Sequence, residues 1–84
     1  MPRIISVRPL NDYRLEVQFD DGARGVIPLA DRLFGPLFEP LKDWRIFCQV
    51  TVDDFGAVCW PNGADLAPDA IYERIRAAIE PATR

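Results

Sequence analysis

Tyr13, Leu15, Val17 and Phe19 alternate with Arg14, Glu16 and Gln18, so every second side chain from residue 13 to residue 19 is apolar. A segment with that period of two is a strand with one dry face and one wet face. The rest of a chain of 84 residues must then cover the dry face, because length allows one core and not two. Two flanking runs, residues 4–9 and 23–29, extend the strand into an antiparallel meander. Asn11-Asp12 and Asp20-Asp21-Gly22 separate the three runs, and Gly22 supplies the positive φ that a short hairpin loop needs. In the third run the alternation is poorer, and Gly25 predicts a bulge before Ile27 and Leu29 rejoin the core.

Cover comes from further along. Residues 31–42 hold two prolines and a glycine and are therefore irregular, yet Leu33, Phe34, Leu37, Phe38 and Leu41 are apolar, so this segment is expected to fold back over the sheet. Asp43 can cap a short helix from Trp44 that turns Phe47 inward. Residues 50–52 and 58–60 form a second hairpin around Asp53-Asp54-Phe55-Gly56. That turn matches the kinase magnesium triplet by accident, since the phosphate loop and strand lysine of a kinase are missing.

Trp60-Pro61-Asn62-Gly63-Ala64-Asp65-Leu66 marks a joint: a strand ends in a large ring, a compact turn follows, then a helix. Pro68 suits a first helical position and Asp69 the positive end of the helix dipole. Ile71, Ile75, Ala78 and Ile79 form a stripe at helical spacing, with Tyr72 beside them and Glu73, Arg74, Arg76 and Glu80 outward, so residues 68–79 close the core. Pro81 ends the helix. The expected architecture is α+β: a β-meander, a short middle helix, a second hairpin and a C-terminal helix across the sheet. It forms one domain over residues 1–80 with a frayed tail at 81–84. Trp60 is expected to pack on the final helix, and Asp65 to serve as a turn or helix-entry cap.

Chemistry is constrained by what is missing. The chain has no histidine, which removes the commonest general base and metal ligand. Ser6, Thr51, Thr83 and Lys42 are its whole supply of aliphatic hydroxyls and ammonium groups. Neither a glycine-rich phosphate loop nor a CxxC pair occurs, so no cofactor is expected. Asp20-Asp21 and Asp53-Asp54 could gather oxygen ligands for a hard cation, but aspartate also favours turns by bonding nearby amides. That reading predicts no bound metal and no enzyme. Cys48 and Cys59 lie in apolar segments and are expected as buried reduced thiols, although a disulfide between them stays open.

With 13 acids against 10 bases the net charge is −3, which argues against direct nucleic-acid binding. Arg8, Arg14 and Arg24 could still share the wet sheet face. No apolar run approaches a membrane span, and residues 1–5 lead directly into a strand, so a cytoplasmic bacterial protein is expected. Another protein is the expected partner, and a homodimer through the free sheet edge is a further option. Trp44 follows a helix cap, where the core cannot easily use it, so Trp44 with Arg45 is the first candidate contact. The loop with Pro61, Asn62 and Asp65 is the second.

Asp20-Asp21-Gly22, residues 35–43 (Gly-Pro-Leu-Phe-Glu-Pro-Leu-Lys-Asp), Phe47 with residues 50–53, and above all residues 60–66 with Pro68-Asp69 and Tyr72 resemble the bacterial domain-of-unknown-function 2442 family over nearly the whole chain. The resemblance implies a small α+β domain. It also implies a genetic setting: some relatives continue into a helix-turn-helix domain, for which this chain lacks room, and stand-alone members are often encoded beside another small protein in a toxin-antitoxin-like pair. No catalytic residue comes with it. Relatives tend to carry proline or a small polar residue where this chain has Trp44. Two functions are thus expected: the partner-binding or neutralising half of a two-gene regulatory pair, or an acidic inhibitor, phage-related in one version, that blocks a basic nucleic-acid-binding surface of a larger machine.

Overall fold

The computed structural model describes residues 2–79, with side-chain environments up to residue 76. Three strands, β1 (Ile4–Leu10), β2 (Arg14–Phe19) and β3 (Arg24–Pro28), form the meander in the order β1-β2-β3. Leu15, Val17 and Phe19 are buried, as their alternation requires. Ile4 pairs with Phe19 while Ser6 pairs with Gln18, so β1 carries one extra residue at Ile5. Without that bulge Ile4 and Ser6 would share the wet face. The extra residue turns Ile4 into the core and Ile5 out to solvent.

Gly25 does not form the expected bulge. It sits in an unbroken register opposite Val17, on the dry face. The glycine has a different reason: a Cβ there would lie 2.8 Å from Cγ2 of the buried Ile75. The last helix can approach the sheet only because this position has no side chain. Strand β2 also begins one residue later than its alternation suggests. Asp12 and Tyr13 both have left-handed φ, at 64° and 57°, a conformation that costs such residues about 1–3 kcal/mol and needs support from its surroundings. Tyr13 has that support: its ring packs edge-on against Phe47 at 5.2 Å between centroids, and its hydroxyl donates to the Lys42 carbonyl.

Two 3-10 turns, Ala30–Arg32 and Glu39–Lys42, interrupt the middle segment and lead into helix α1 (Trp44–Phe47). Asp43 caps α1 as expected, its carboxylate accepting from the Arg45 amide at 3.0 Å. The segment covers the sheet with Leu33 and Leu41, both buried, and with half-buried Phe38. Phe34 and Leu37 depart from expectation. They are 69% and 48% exposed, because both fall in the irregular stretch between the two 3-10 turns, where no repeating structure directs successive side chains to the core.

The second hairpin gains a strand. β4 (Thr51–Val52), β5 (Val58–Cys59) and β6 (Asp65–Leu66) form a small antiparallel sheet in that order. Asp65 therefore pairs with Cys59 in a ladder and does not cap the following helix. Helix α2 spans Pro68–Ile79, and Ile71 and Ile75 lie in the core. Tyr72 latches it to the meander, its ring edge-on to Phe19 and its hydroxyl donating to Asp21 at 2.8 Å. The expected burial of Ala78 and Ile79, and the expected tail, lie outside the described residues. Phe47 and Trp60 are buried as expected, and the Trp60 indole donates to the Phe47 carbonyl at 3.0 Å. The aromatic neighbours of Trp60 are Phe38 and Phe47 of the middle segment, and it shares the core cluster with Ile71 and Ile75 of the final helix.

Candidate functional site

Trp44 is 40% exposed, and the reading that the core cannot use it needs correction. Its ring stacks on Phe47 at 5.5 Å and meets Tyr13 edge-on at 5.6 Å. The first turn of α1 is short enough that a side chain there leans back over Tyr13, which the left-handed turn holds up. Half of Trp44 thus supports the fold and half faces water. Arg45 pairs with Asp43 at 3.2 Å, two residues away. Each shifts the other: the guanidinium and the Arg45 amide hold the Asp43 carboxyl below its usual range, and the carboxylate raises the arginine.

The Pro61 to Asp65 loop closes on the protein itself. Gly63 has φ of 97°, the positive value expected of this turn. Asn62 uses its side-chain oxygen on the Ala64 amide at 3.2 Å and its side-chain nitrogen on the Leu37 carbonyl at 2.8 Å. It therefore fastens the loop to the middle segment. Pro61 and Asp65 remain exposed beside that fastening.

What residue-type reasoning missed lies next to this loop. A groove of about 300 Å³ runs between the middle segment and α2. Ile27 of β3, Leu29 just after that strand and Ile71 of α2 line its buried base, and Leu33, Phe34 and Phe38 line it from the middle segment. Leu66 and Ala70 leave the opposite side low, and Arg32 and Arg74 stand among the lining. Phe34 carries the signal for it; Phe34 and Leu37 are two large apolar residues in a segment broken by Gly35 and Pro36. Nothing in the sequence says that they would miss the core.

Elsewhere, three of the turn carboxylates bond within the protein. The Asp53 carboxylate accepts from the amides of Phe55 at 2.8 Å and Ala57 at 3.0 Å. Asp20 accepts from the Arg3 amide at 3.1 Å. Asp21 is held below the usual carboxylate range by the Ala23 amide first and the Tyr72 hydroxyl second. These are the turn duties expected of aspartate, and the described residues contain no group of three or more His, Cys, Asp or Glu able to hold a metal ion. Arg8, Arg14 and Arg24 do share the wet sheet face by register, but Arg8 bonds Glu16 between them and Arg14 donates to the Asn11 carbonyl.

Both cysteines are free thiols. Cys48 is exposed, against expectation, because it follows Phe47 at the C-terminal cap of α1 and turns away from the core. Cys59 is half-buried between inward-facing Val58 and Trp60. No helix among the described residues is long and apolar enough to cross a membrane.

In comparisons with known proteins, residues 4–77 match the family model described as protein of unknown function (DUF2442). No curated protein and no solved structure matches the chain.

Proposed function

The chain belongs to the DUF2442 family, and we propose that it is a non-catalytic protein-binding module, the partner-binding or neutralising member of a two-gene regulatory pair. One observation carries the reading: Phe34 stands 69% exposed in the lining of an apolar groove, with Leu37 48% exposed three residues further on, in a domain small enough to need its large side chains inside. Apolar surface of that kind, rimmed by polar groups, marks interaction sites. Leu37 joins this surface to the exposed Pro61 and Asp65 through the Asn62 bond to its carbonyl. Trp44 and Arg45 form a second, smaller contact.

The absence of histidine and the internal engagement of the turn aspartates support a binding role over a hydrolytic or metal-dependent one. An acidic inhibitor is less well supported, because the wet sheet face displays Arg8, Arg14 and Arg24 in place of a field of carboxylates. Affinity purification of the tagged full chain from its host, followed by mass spectrometry and reconstitution of the pair, tests the role. A single protein encoded alongside and retained stoichiometrically is expected. Recovery of the chain alone at native expression would overturn the reading.

A further inference from the structure

The groove beside α2 also specifies the chemistry of what enters it, an inference that rests on the reading of the chain as a binding module. In a chain with more acids than bases, the groove is lined by two arginines and no carboxylate. Neither Arg32 nor Arg74 forms an ion pair among the described residues. Every other lining side chain is apolar. The space, about 300 Å³, equals roughly ten water molecules and lies at the lower limit of small-ligand pockets. It accommodates a few aliphatic side chains more readily than a nucleotide or a large cofactor.

We propose that this groove receives a short acidic and apolar peptide segment of the partner protein. Its apolar side chains pack against Phe34, Phe38 and Leu66 above the buried Ile27, Leu29 and Ile71, and its carboxylate is held by Arg32 or Arg74. An arginine suits that task because its planar fork meets a carboxylate with two parallel hydrogen bonds. Ala70, one helical turn before Arg74 and exposed, leaves the entrance open. Phe34 closes over the occupant from the other side.

A random peptide library displayed on phage, selected against the full chain, supplies the probe. Enriched peptides should carry paired aliphatic or aromatic residues flanked by Asp or Glu, and should shift the methyl resonances of Ile27, Leu29 and Ile71. Arg74→Glu should weaken them roughly tenfold or more, and Ala70→Trp should fill the groove and abolish binding, both with the melting temperature retained. Should either variant melt early, Arg32→Glu on the exposed 3-10 turn provides the same charge test. Peptides without acidic bias, affinity indifferent to the arginine substitutions, shifts confined to other surfaces, or no enrichment would each overturn the proposal. Groove resonances that move with protein concentration alone would make the occupant a second copy and overturn it equally. If Arg74→Glu and Ala70→Trp still retain the host partner, the groove assignment fails and the binding-module reading stands. If library peptides enter the groove but the host yields no partner, the reverse holds.

Discussion

Trp44 and Phe34 are both large aromatic residues in or beside irregular chain, and their surroundings differ completely. At the α1 corner, Tyr13, Trp44, Phe47, Trp60 and Phe38 interlock ring against ring, and the indole of Trp60 finds a carbonyl inside the core. Beside α2, Phe34 projects over a groove with no ring against it among the described residues. Burial alone separates them weakly, at 40% and 69% exposed. The neighbours separate them clearly. An aromatic that touches other rings supports the fold, whereas one that touches only the rim of a groove is available for something else.

Adding atoms where α2 presses on the sheet should do the greatest harm. Gly25→Val places its side chain into Ile75, which cannot retreat because it is buried, so a loss of about 1–3 kcal/mol is expected in chemical denaturation. Ile75→Ala in the same chain should recover part of that loss by vacating the volume. Strict additivity of the two substitutions would show that the helix and sheet are not pressed together at this point. At the seam between the two regions, Gly63→Val meets little steric resistance, with Leu37 4.0 Å away, but must adopt φ of 97°. The backbone strain should lower stability by about 1–3 kcal/mol. A thermal midpoint equal to wild type would mean that the loop relaxes freely and that the Asn62 bond to Leu37 does not hold it.

Trp44→Ala and Phe34→Ala sharpen the comparison directly. Removing the stacked Trp44 should cost about 1 kcal/mol, the scale of aromatic pairing. Removing Phe34 should stay within about 0.5 kcal/mol, as surface changes do. Equal effects would erase the distinction between the two regions. The smallest expected effect is on acid stability. Asp21, with its carboxyl lowered from 3.8 by the Ala23 amide and then the Tyr72 hydroxyl, contributes stability that is fully present above that ordinary value. The contribution is lost as pH falls through the lowered folded value. Urea midpoints followed from about pH 5 down to about pH 2 should therefore fall less steeply for Tyr72→Phe than for wild type. Parallel curves would remove the latch from the account.

Much of the core was legible in the sequence. The alternation of Leu15, Val17 and Phe19, the helical spacing of Ile71 and Ile75, the Asp43 cap and the positive φ of Gly22 and Gly63 all follow from local chemistry, which acts on neighbours a few residues away. The open region was not. Leu33 and Phe34 are adjacent and both apolar, and only the tertiary path of the irregular chain between the two 3-10 turns sends one inward and the other out. Strand β6 was hidden for a related reason: two residues inside a turn-rich stretch carry no period, and Asp65 reads as a cap until Cys59 is placed beside it. Gly25 was correctly singled out but for the wrong cause, since a bulge is a local property and the approach of Ile75 comes from fifty residues away.

On the function proposed above, the open region binds a partner protein and the closed corner chiefly holds the fold together. Titration calorimetry of the purified host partner against wild type, Phe34→Ala and Trp44→Ala, each with its melting temperature measured alongside, tests it most directly. Phe34→Ala should melt as wild type does and weaken binding by ~30-fold or more, equivalent to ~2 kcal/mol, while Trp44→Ala should melt earlier and change affinity less. Undiminished affinity in Phe34→Ala, with the loss found instead in Trp44→Ala, would contradict the claim and move the binding surface to the α1 corner.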